Sequence, residues 1–148
     1  MFTVYLAGYI SGNKIKECIE WREKILKHYR LTRDIKFINP LAGHNMMDIS
    51  KDGLTSDIPN KGIIYKDYKS VIESDLIIVN LDTFGEDRPL IGTVSELAWA
   101  WERKIPVIAF GGKEYYSKHP FLQEFITIYS NKLQHILDEE YIDYFMTK

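Results

Sequence analysis

Apolar positions along this chain switch between two periods. Residues 3–7, Thr-Val-Tyr-Leu-Ala, form a β-rich run closed by the glycine-bracketed turn Gly8-Tyr-Ile-Ser-Gly12, which predicts a strand and then a turn. From Asn13, read as an N-cap, Ile15, Cys18, Ile19, Leu26 and Tyr29 follow helical spacing, with Arg22 the one exception on that stripe. Ile35–Ile38 predicts a second strand ending at Asn39-Pro40. Residues 41–62 are rich in Gly, Asn, Asp, Ser and Lys and show no period; a loop of that length in a compact domain is usually a functional lid or disordered. A helix over about 63–73 places Ile64, Tyr68, Val71 and Ile72 on one face, and Asp67 falls on the same face. A strand over 76–81 leads into a helix carrying Glu96, and the near-continuous apolar run over 105–110 reads as a strand covered on both faces. Helical spacing from Pro120 to about residue 136 joins Phe121, Leu122, Phe125, Ile128, Tyr129 and Leu133, and 138–148 reads as a polar and aromatic tail. Strands alternating with helices predict a parallel α/β sheet.

Composition narrows the classes. The 148 residues, 45% hydrophobic and 14% aromatic, suit one domain, 1–148, with a genuine core. A formal charge of −2, with acids and bases interspersed, offers no basic stripe for a nucleic acid polymer. No apolar run approaches the roughly 20 residues of a membrane span, and Met1-Phe-Thr-Val-Tyr reads as a strand; the expectation is an unprocessed cytoplasmic protein. Cys18 is the single cysteine, which excludes an internal disulfide and a thiolate metal cluster within one chain. His28, His44, His119 and His135 lack the spacing that sets two ligands on one helical face, so no metal is expected. His119, just before Pro120, reads as a residue at a helix start.

Two carboxylates stand out. Glu96 lies just beyond the Gly92 turn, in what reads as the first turn of a helix near the carboxyl end of the sheet, where open α/β folds bind ligands. Thr93-Val-Ser-Glu96 also matches a capping box, a purely structural use. Its functional use is as a carboxylate in the cleft that attacks an electrophilic carbon or stabilises a cation, kept ionised by the helix terminus. Asp67, an acid on an apolar stripe, must be solvated, paired with Lys66, Lys69 or a backbone amide, or used. Two such carboxylates from separate helices suit glycosidic bond cleavage by a nucleophile and a general acid. Asp82 and Arg88 flank a loop at the carboxyl end of a strand, where ligand contacts concentrate. Gly8-x-x-x-Gly12 can admit a sugar or phosphate to the backbone, yet is neither a dinucleotide fingerprint nor a P-loop. Tyr5 lies in the strand beside that turn, where a buried hydroxyl needs a partner. Asp75 reads as a structural turn residue, Trp101 as core, and Trp99 as a contact for a partner subunit.

Tyr5-Leu-Ala-Gly8, Asp67 eight residues before Asp75-Leu-Ile-Ile-Val, and Gly92-Thr-x-x-Glu96 followed by Lys104-Ile-Pro-Val-Ile resemble the nucleoside 2-deoxyribosyltransferase family, including its 2'-deoxynucleoside 5'-monophosphate N-hydrolases. The resemblance runs to about Gly111. It implies a flavodoxin-like (Rossmann-like) three-layer sandwich with a four- or five-stranded parallel sheet, no cofactor, a nucleoside or nucleotide substrate, and a homodimer or higher homo-oligomer. It further implies that Glu96 is a nucleophile forming a glycosyl-enzyme intermediate, that Asp67 helps protonate the departing base, and that Tyr5 orients the glutamate. Gly8, Tyr9, Ile10, Ser11, Asp82, Arg88, Gly92 and Thr93 are the candidate substrate contacts. Leu90 stands where transferases commonly carry an acid and related hydrolases a serine, while Gly8-Tyr-Ile-Ser-Gly12 is closer to the hydrolase turn. Lys14 can meet a 5'-phosphate or simply be solvated. Nucleoside and monophosphate, transfer and hydrolysis therefore all stay open, as does a non-catalytic nucleotide-binding or sequestering protein on the same scaffold.

Overall fold

The computed structural model describes residues 1–32, 34–41, 49–50, 53–54 and 59–147. Five strands form one sheet: β1 (Phe2–Gly8), β2 (Ile35–Ile38), β5 (Leu76–Asn80), β6 (Val107–Phe110) and β7 (Ile128–Ser130). Their order is β2-β1-β5-β6-β7 and every pairing is parallel. Between β2 and β5 a separate antiparallel pair, β3 (Ile49–Ser50) with β4 (Gly53–Leu54), interrupts the segment read as an unbroken loop. The rest of the proposed lid over 41–62 lies largely outside the described residues.

Residues alternate across β1 as the period of a strand requires. Val4 and Leu6 join a core with Trp21 and Ile25 of α1 (Ile15–His28), Ile136 of α6 (Leu133–Asp138) and Ile142 of α7 (Tyr141–Met146). Tyr5 and Ala7 face the opposite core, with Val71 of α2 (Asn60–Ile72), Leu97 and Ala100 of α3 (Ile91–Glu102) and Leu122 of α5 (Pro120–Phe125). A further short helix, α4 (Glu114–Ser117), precedes α5. The central strands β5 and β6 are buried along their whole length, as continuous apolar runs demand. Sheet order and two flanking helical layers make this a flavodoxin-like α/β sandwich. Among the described residues no helix is long and apolar enough to cross a membrane.

Several local expectations are corrected. The 120–136 segment is not one helix: α5 ends at Phe125, and Ile128–Ser130 pairs with β6 through Ile108↔Ile128. The β-branched run Ile126-Thr127-Ile128 favours extended backbone, and three residues are too few to show alternation. Within the segment read as a tail, Tyr141–Met146 folds as α7 because Ile142 is fully buried, while Asp143 accepts a 3.4 Å hydrogen bond from Tyr29. Asn13 does not cap α1; it lies inside a 3-10 turn, Gly12–Lys14, whose cap is Ser11, accepting from the Asn13 amide at 3.3 Å. Helix α2 starts at Asn60, three residues before the expected start at about 63.

Trp101, read as core, is not buried. Trp101 is 55% exposed beside Phe125, whereas Trp99 is partly buried and meets the Tyr68 ring edge-on at 5.3 Å. Asp75 is structural as read, accepting from the Thr3 amide at 2.8 Å, and His119 caps α5 by accepting from the Phe121 amide at 3.2 Å.

Candidate active site

Register brings Gly8 opposite Asn80, so the carboxyl ends of β1 and β5 lie side by side. In this strand order that is the switch point, where the chain departs in opposite directions and leaves a crevice. A cleft of about 390 Å³ opens there. Gly8, Tyr9 and Ile10 form one wall; Asn60, Ile63, Ile64 and Asp67 of α2 form another; Arg88 through Thr93 and Glu96 close it.

Glu96 is not in a capping box. Helix α3 begins at Ile91 with Leu90 in the cap position and no side-chain cap, so Thr93 is an interior helical residue and Glu96 belongs to the second turn. Glu96 is 9% exposed and its Oε2 accepts the hydroxyl hydrogen of Tyr5, which itself is 2% exposed on β1. Burial raises the Glu96 carboxyl to about 8, and Asp67 nearby pushes the same way, while the Tyr5 hydrogen bond and the Arg22 charge pull it down. The helix terminus therefore does not keep the unliganded carboxyl ionised, since the cost of removing it from water is the larger effect. Tyr5 is held far above the usual phenol range, first by burial and then by Glu96, which keeps it a proton donor in this pair.

Asp67 is half-buried in the cleft wall, and burial raises its carboxyl, with Lys66 pulling the other way. Lys69 does not pair with it but with Glu73, at 3.8 Å. Asp67 is near enough for its charge to act on both Glu96 and Tyr5. Two carboxyls whose burial raises their affinity for protons thus face one crevice.

The remaining candidates divide. Gly8, Tyr9, Ile10, Arg88, Gly92 and Thr93 line the cleft. Arg88 donates to the Ile10 carbonyl and its guanidinium lies 4.5 Å from the centre of the Tyr9 ring, so this cation braces the glycine turn. Ser11 is buried beneath the turn as a cap, and Asp82 is exposed, accepting from the Phe84 amide at 2.8 Å; neither lines the cleft. Gly8 has a use other than the one expected. A Cβ there would meet Trp21 at 2.9 Å and the Arg22 guanidinium at 3.4 Å, so the missing side chain makes room for α1 behind the strand.

Arg22 is the residue that sequence reading passed over. It is fully buried, donates to the Cys18 carbonyl at 2.7 Å and to the Gly8 carbonyl at 3.3 Å, and its guanidinium lies over the Trp21 ring. Burial lowers its proton affinity to about 10, against the charges of Tyr5 and Glu96. The signal was visible: a cation on an apolar stripe demands the same question as Asp67. Asn60, Ile63, Ile64, Pro89, Leu90 and Ile91 also line the cleft. Leu90 is buried, with its amide donating to the Tyr116 hydroxyl at 3.1 Å.

No family model and no curated protein matches the chain. Solved structures do. A conserved protein from Enterococcus faecalis V583 superimposes with a TM-score of 0.67 at 18% identity, covering 97% of this chain and 99% of that one. A CMP N-glycosidase from Clostridium botulinum gives 0.58 at 17% identity, covering 95% and 98%. A 2-desoxiribosyltransferase from Leishmania mexicana gives 0.56 at 18% identity, covering 79% and 72%. The chain thus shares its flavodoxin-like fold with proteins that include an N-glycosidase and a deoxyribosyltransferase.

Proposed function

We propose that this protein cleaves the N-glycosidic bond of 2'-deoxynucleosides or their 5'-monophosphates and passes the deoxyribosyl group to another nucleobase or to water. The observation that carries the reading is the buried Glu96 carboxyl at the base of the switch-point cleft, with Tyr5 donating to it and Asp67 beside it. The likeness in fold to an N-glycosidase and a deoxyribosyltransferase supports the same reaction class.

In this reading Glu96, as carboxylate, attacks C1' of the sugar. The C1'–N bond breaks, its electron pair goes to the base nitrogen, and the Asp67 carboxyl supplies the proton. The product of this half is a glycosyl ester on Glu96. An acceptor nitrogen or a water oxygen then attacks C1', Asp67 takes up the acceptor's proton, and the Glu96 carboxylate is released. Each half exchanges one bond at one carbon without change of oxidation state, so the reaction needs no redox cofactor. Tyr5 positions the attacking oxygen, and its hydrogen bond favours the ionised nucleophile. Proton donation by Asp67 is worth about 10² to 10⁴ in rate. Ile63, Ile64, Leu90 and Ile91 give the cleft apolar walls suited to a planar base.

The test is incubation of the purified protein with a panel of deoxynucleosides and monophosphates, with and without a free acceptor base, followed by chromatography. A new nucleoside means transfer, and free base with deoxyribose or its phosphate means hydrolysis. Ligands that bind but return unchanged would replace the reading with that of a sequestering protein.

A further inference from the structure

Asp67 rides on a weakly anchored helix. Of the thirteen residues of α2 only Val71 is buried, Pro59 in the cap position gives no side-chain cap, and Ile64 and Tyr65 are 53% and 75% exposed. Val71 enters the core to which Leu97 and Ala100 of α3 belong. One buried point holds a rigid rod against its neighbour without fixing its rotation or tilt, so a second is needed.

Tyr68 supplies the second point. Its ring meets the Trp99 ring edge-on at 5.3 Å, and its hydroxyl accepts from Arg103 Nη2 at 3.0 Å. Trp99 and Arg103 are four positions apart, on one side of α3 in successive turns, so Tyr68 is gripped at two heights. Among the described residues no other side-chain hydrogen bond or ion pair joins α2 to α3 or its cap residue Arg103. Both carboxyls of the cleft lie next to this grip. Asp67 precedes Tyr68, about 100° around the helix axis, and Glu96 lies one turn before Trp99 on α3. Asp67 and Glu96 line the same cleft. A rotation of α2 that lifted Tyr68 from Trp99 would carry Asp67 through the same angle, and a slide along α3 would change its height relative to Glu96.

We propose that Tyr68 is a positioning residue: held between Trp99 and Arg103, it sets the distance and orientation of Asp67 relative to Glu96. The catalytic meaning of that setting rests on the proposed reaction, in which Asp67 serves the base while Glu96 attacks C1'; the geometric link does not. Tyr68 has no direct part in the chemistry. It does not line the cleft, and the groups whose charge acts on Glu96 are Tyr5, Asp67 and Arg22. Reacting groups tolerate little misplacement, and an error of about 1 Å can cost about 10²-fold in rate.

The experiment measures how strongly Asp67 acts on Glu96 with and without the Tyr68 ring. The full chain is labelled with carbon-13 at the glutamate side-chain carboxyls, and the Glu96 resonance is assigned as the one lost in Glu96→Gln. Its titration is followed by NMR in the unaltered protein, Asp67→Asn, Tyr68→Ala and the double variant. Asp67→Asn should lower the Glu96 midpoint when Tyr68 is present. In the Tyr68→Ala background the same substitution should shift it by about half as much or less, since the coupling of two charges weakens with separation and screening. Should Tyr68→Ala not fold, Trp99→Leu removes the other side of the grip, with the same expectation. A merely structural Tyr68 would lower the melting temperature and leave the Asp67→Asn shift the same in both backgrounds; that result, or no shift in either, would overturn the proposal. With substrate, Asp67→Asn should cost a smaller factor in kcat in the Tyr68→Ala background than in the intact one, because the two losses are not independent. A protein that turns over no nucleoside refutes the proposed reaction, and the titration still decides whether Tyr68 sets the pair.

Discussion

Tyr5 and Glu96 stand 91 positions apart in sequence and meet by a direct hydrogen bond, phenol to carboxylate, at the base of the cleft. Strand β1 carries the donor and the second turn of α3 the acceptor. Both are buried, so the pair sits where its electrostatics are least screened by water.

Replacing Glu96 with Gln should abolish glycosidic cleavage, by at least about 10³-fold, since an amide is no nucleophile here. The fold should survive, because Glu96 caps nothing and a glutamine oxygen can still accept from Tyr5. Chromatography of substrate and products, with circular dichroism as the control, checks both halves. An active Glu96→Gln variant would remove the nucleophile from the mechanism.

The same variant should change how stability depends on pH. Glu96 in the folded chain titrates at about 8, raised from 4.5. A raised folded value means the native state keeps a proton that the unfolded chain has lost, so stability is full below about 4.5 and declines up to about 8. Glu96→Gln removes this decline. Its melting temperature relative to the unaltered protein should rise between pH 5 and 9, by a few degrees for each ~1 kcal/mol. Thermal melts at a series of pH values measure the difference directly.

Tyr5→Phe removes the donor and leaves the ring in place. A hydrogen bond to a charged group is worth roughly 1.5–3 kcal/mol, so kcat/KM should fall about 10- to 100-fold. The ascending limb of the pH profile should move to higher pH, because the Tyr5 bond is the larger of the influences that lower the Glu96 carboxyl. A loss of rate with no movement of that limb would mean that Tyr5 acts by packing alone.

Asp67→Asn should cost about 10² to 10⁴ in rate on substrates whose base must be protonated to leave. The loss should shrink for nucleosides with an already acidic leaving base. Removing a negative neighbour that raises Glu96 should also shift the ascending limb to lower pH, opposite in sign to Tyr5→Phe. In the intact protein both limbs are properties of the pair.

Gly8→Ala probes the packing behind the site. The added methyl would lie 2.9 Å from Trp21 and 3.3 Å from the Asn80 carbonyl, overpacking of a kind that costs about 1–3 kcal/mol. A lowered melting temperature together with reduced activity is expected. An unchanged melting temperature would show that α1 can withdraw from the strand.

How much of this was legible beforehand follows from the range of the forces involved. Alternating strands and helices, the buried runs of β5 and β6 and the odd placement of Asp67 are local patterns, written in the spacing of apolar residues. The parallel sheet and the carboxyl-end location of a cleft lined by Glu96 and Asp67 could therefore be read from the chain. Strand β7 could not, because a three-residue edge strand is defined by the hydrogen bonds that β6 offers rather than by a period of its own. Nor could the fate of the capping box. Thr93-Val-Ser-Glu96 is a valid local signal, overridden because α3 starts at Ile91 and Tyr5 supplies a better partner for the glutamate. Spacing alone put both an acid, Asp67, and a cation, Arg22, on apolar stripes; only the packing of α1 against Gly8 brought that cation behind the cleft wall. Sequence determined which charged groups were out of place, since hydrophobic periodicity is local. Tertiary structure decided which of them face one another, since burial and electrostatic coupling depend on distances between elements that no spacing encodes.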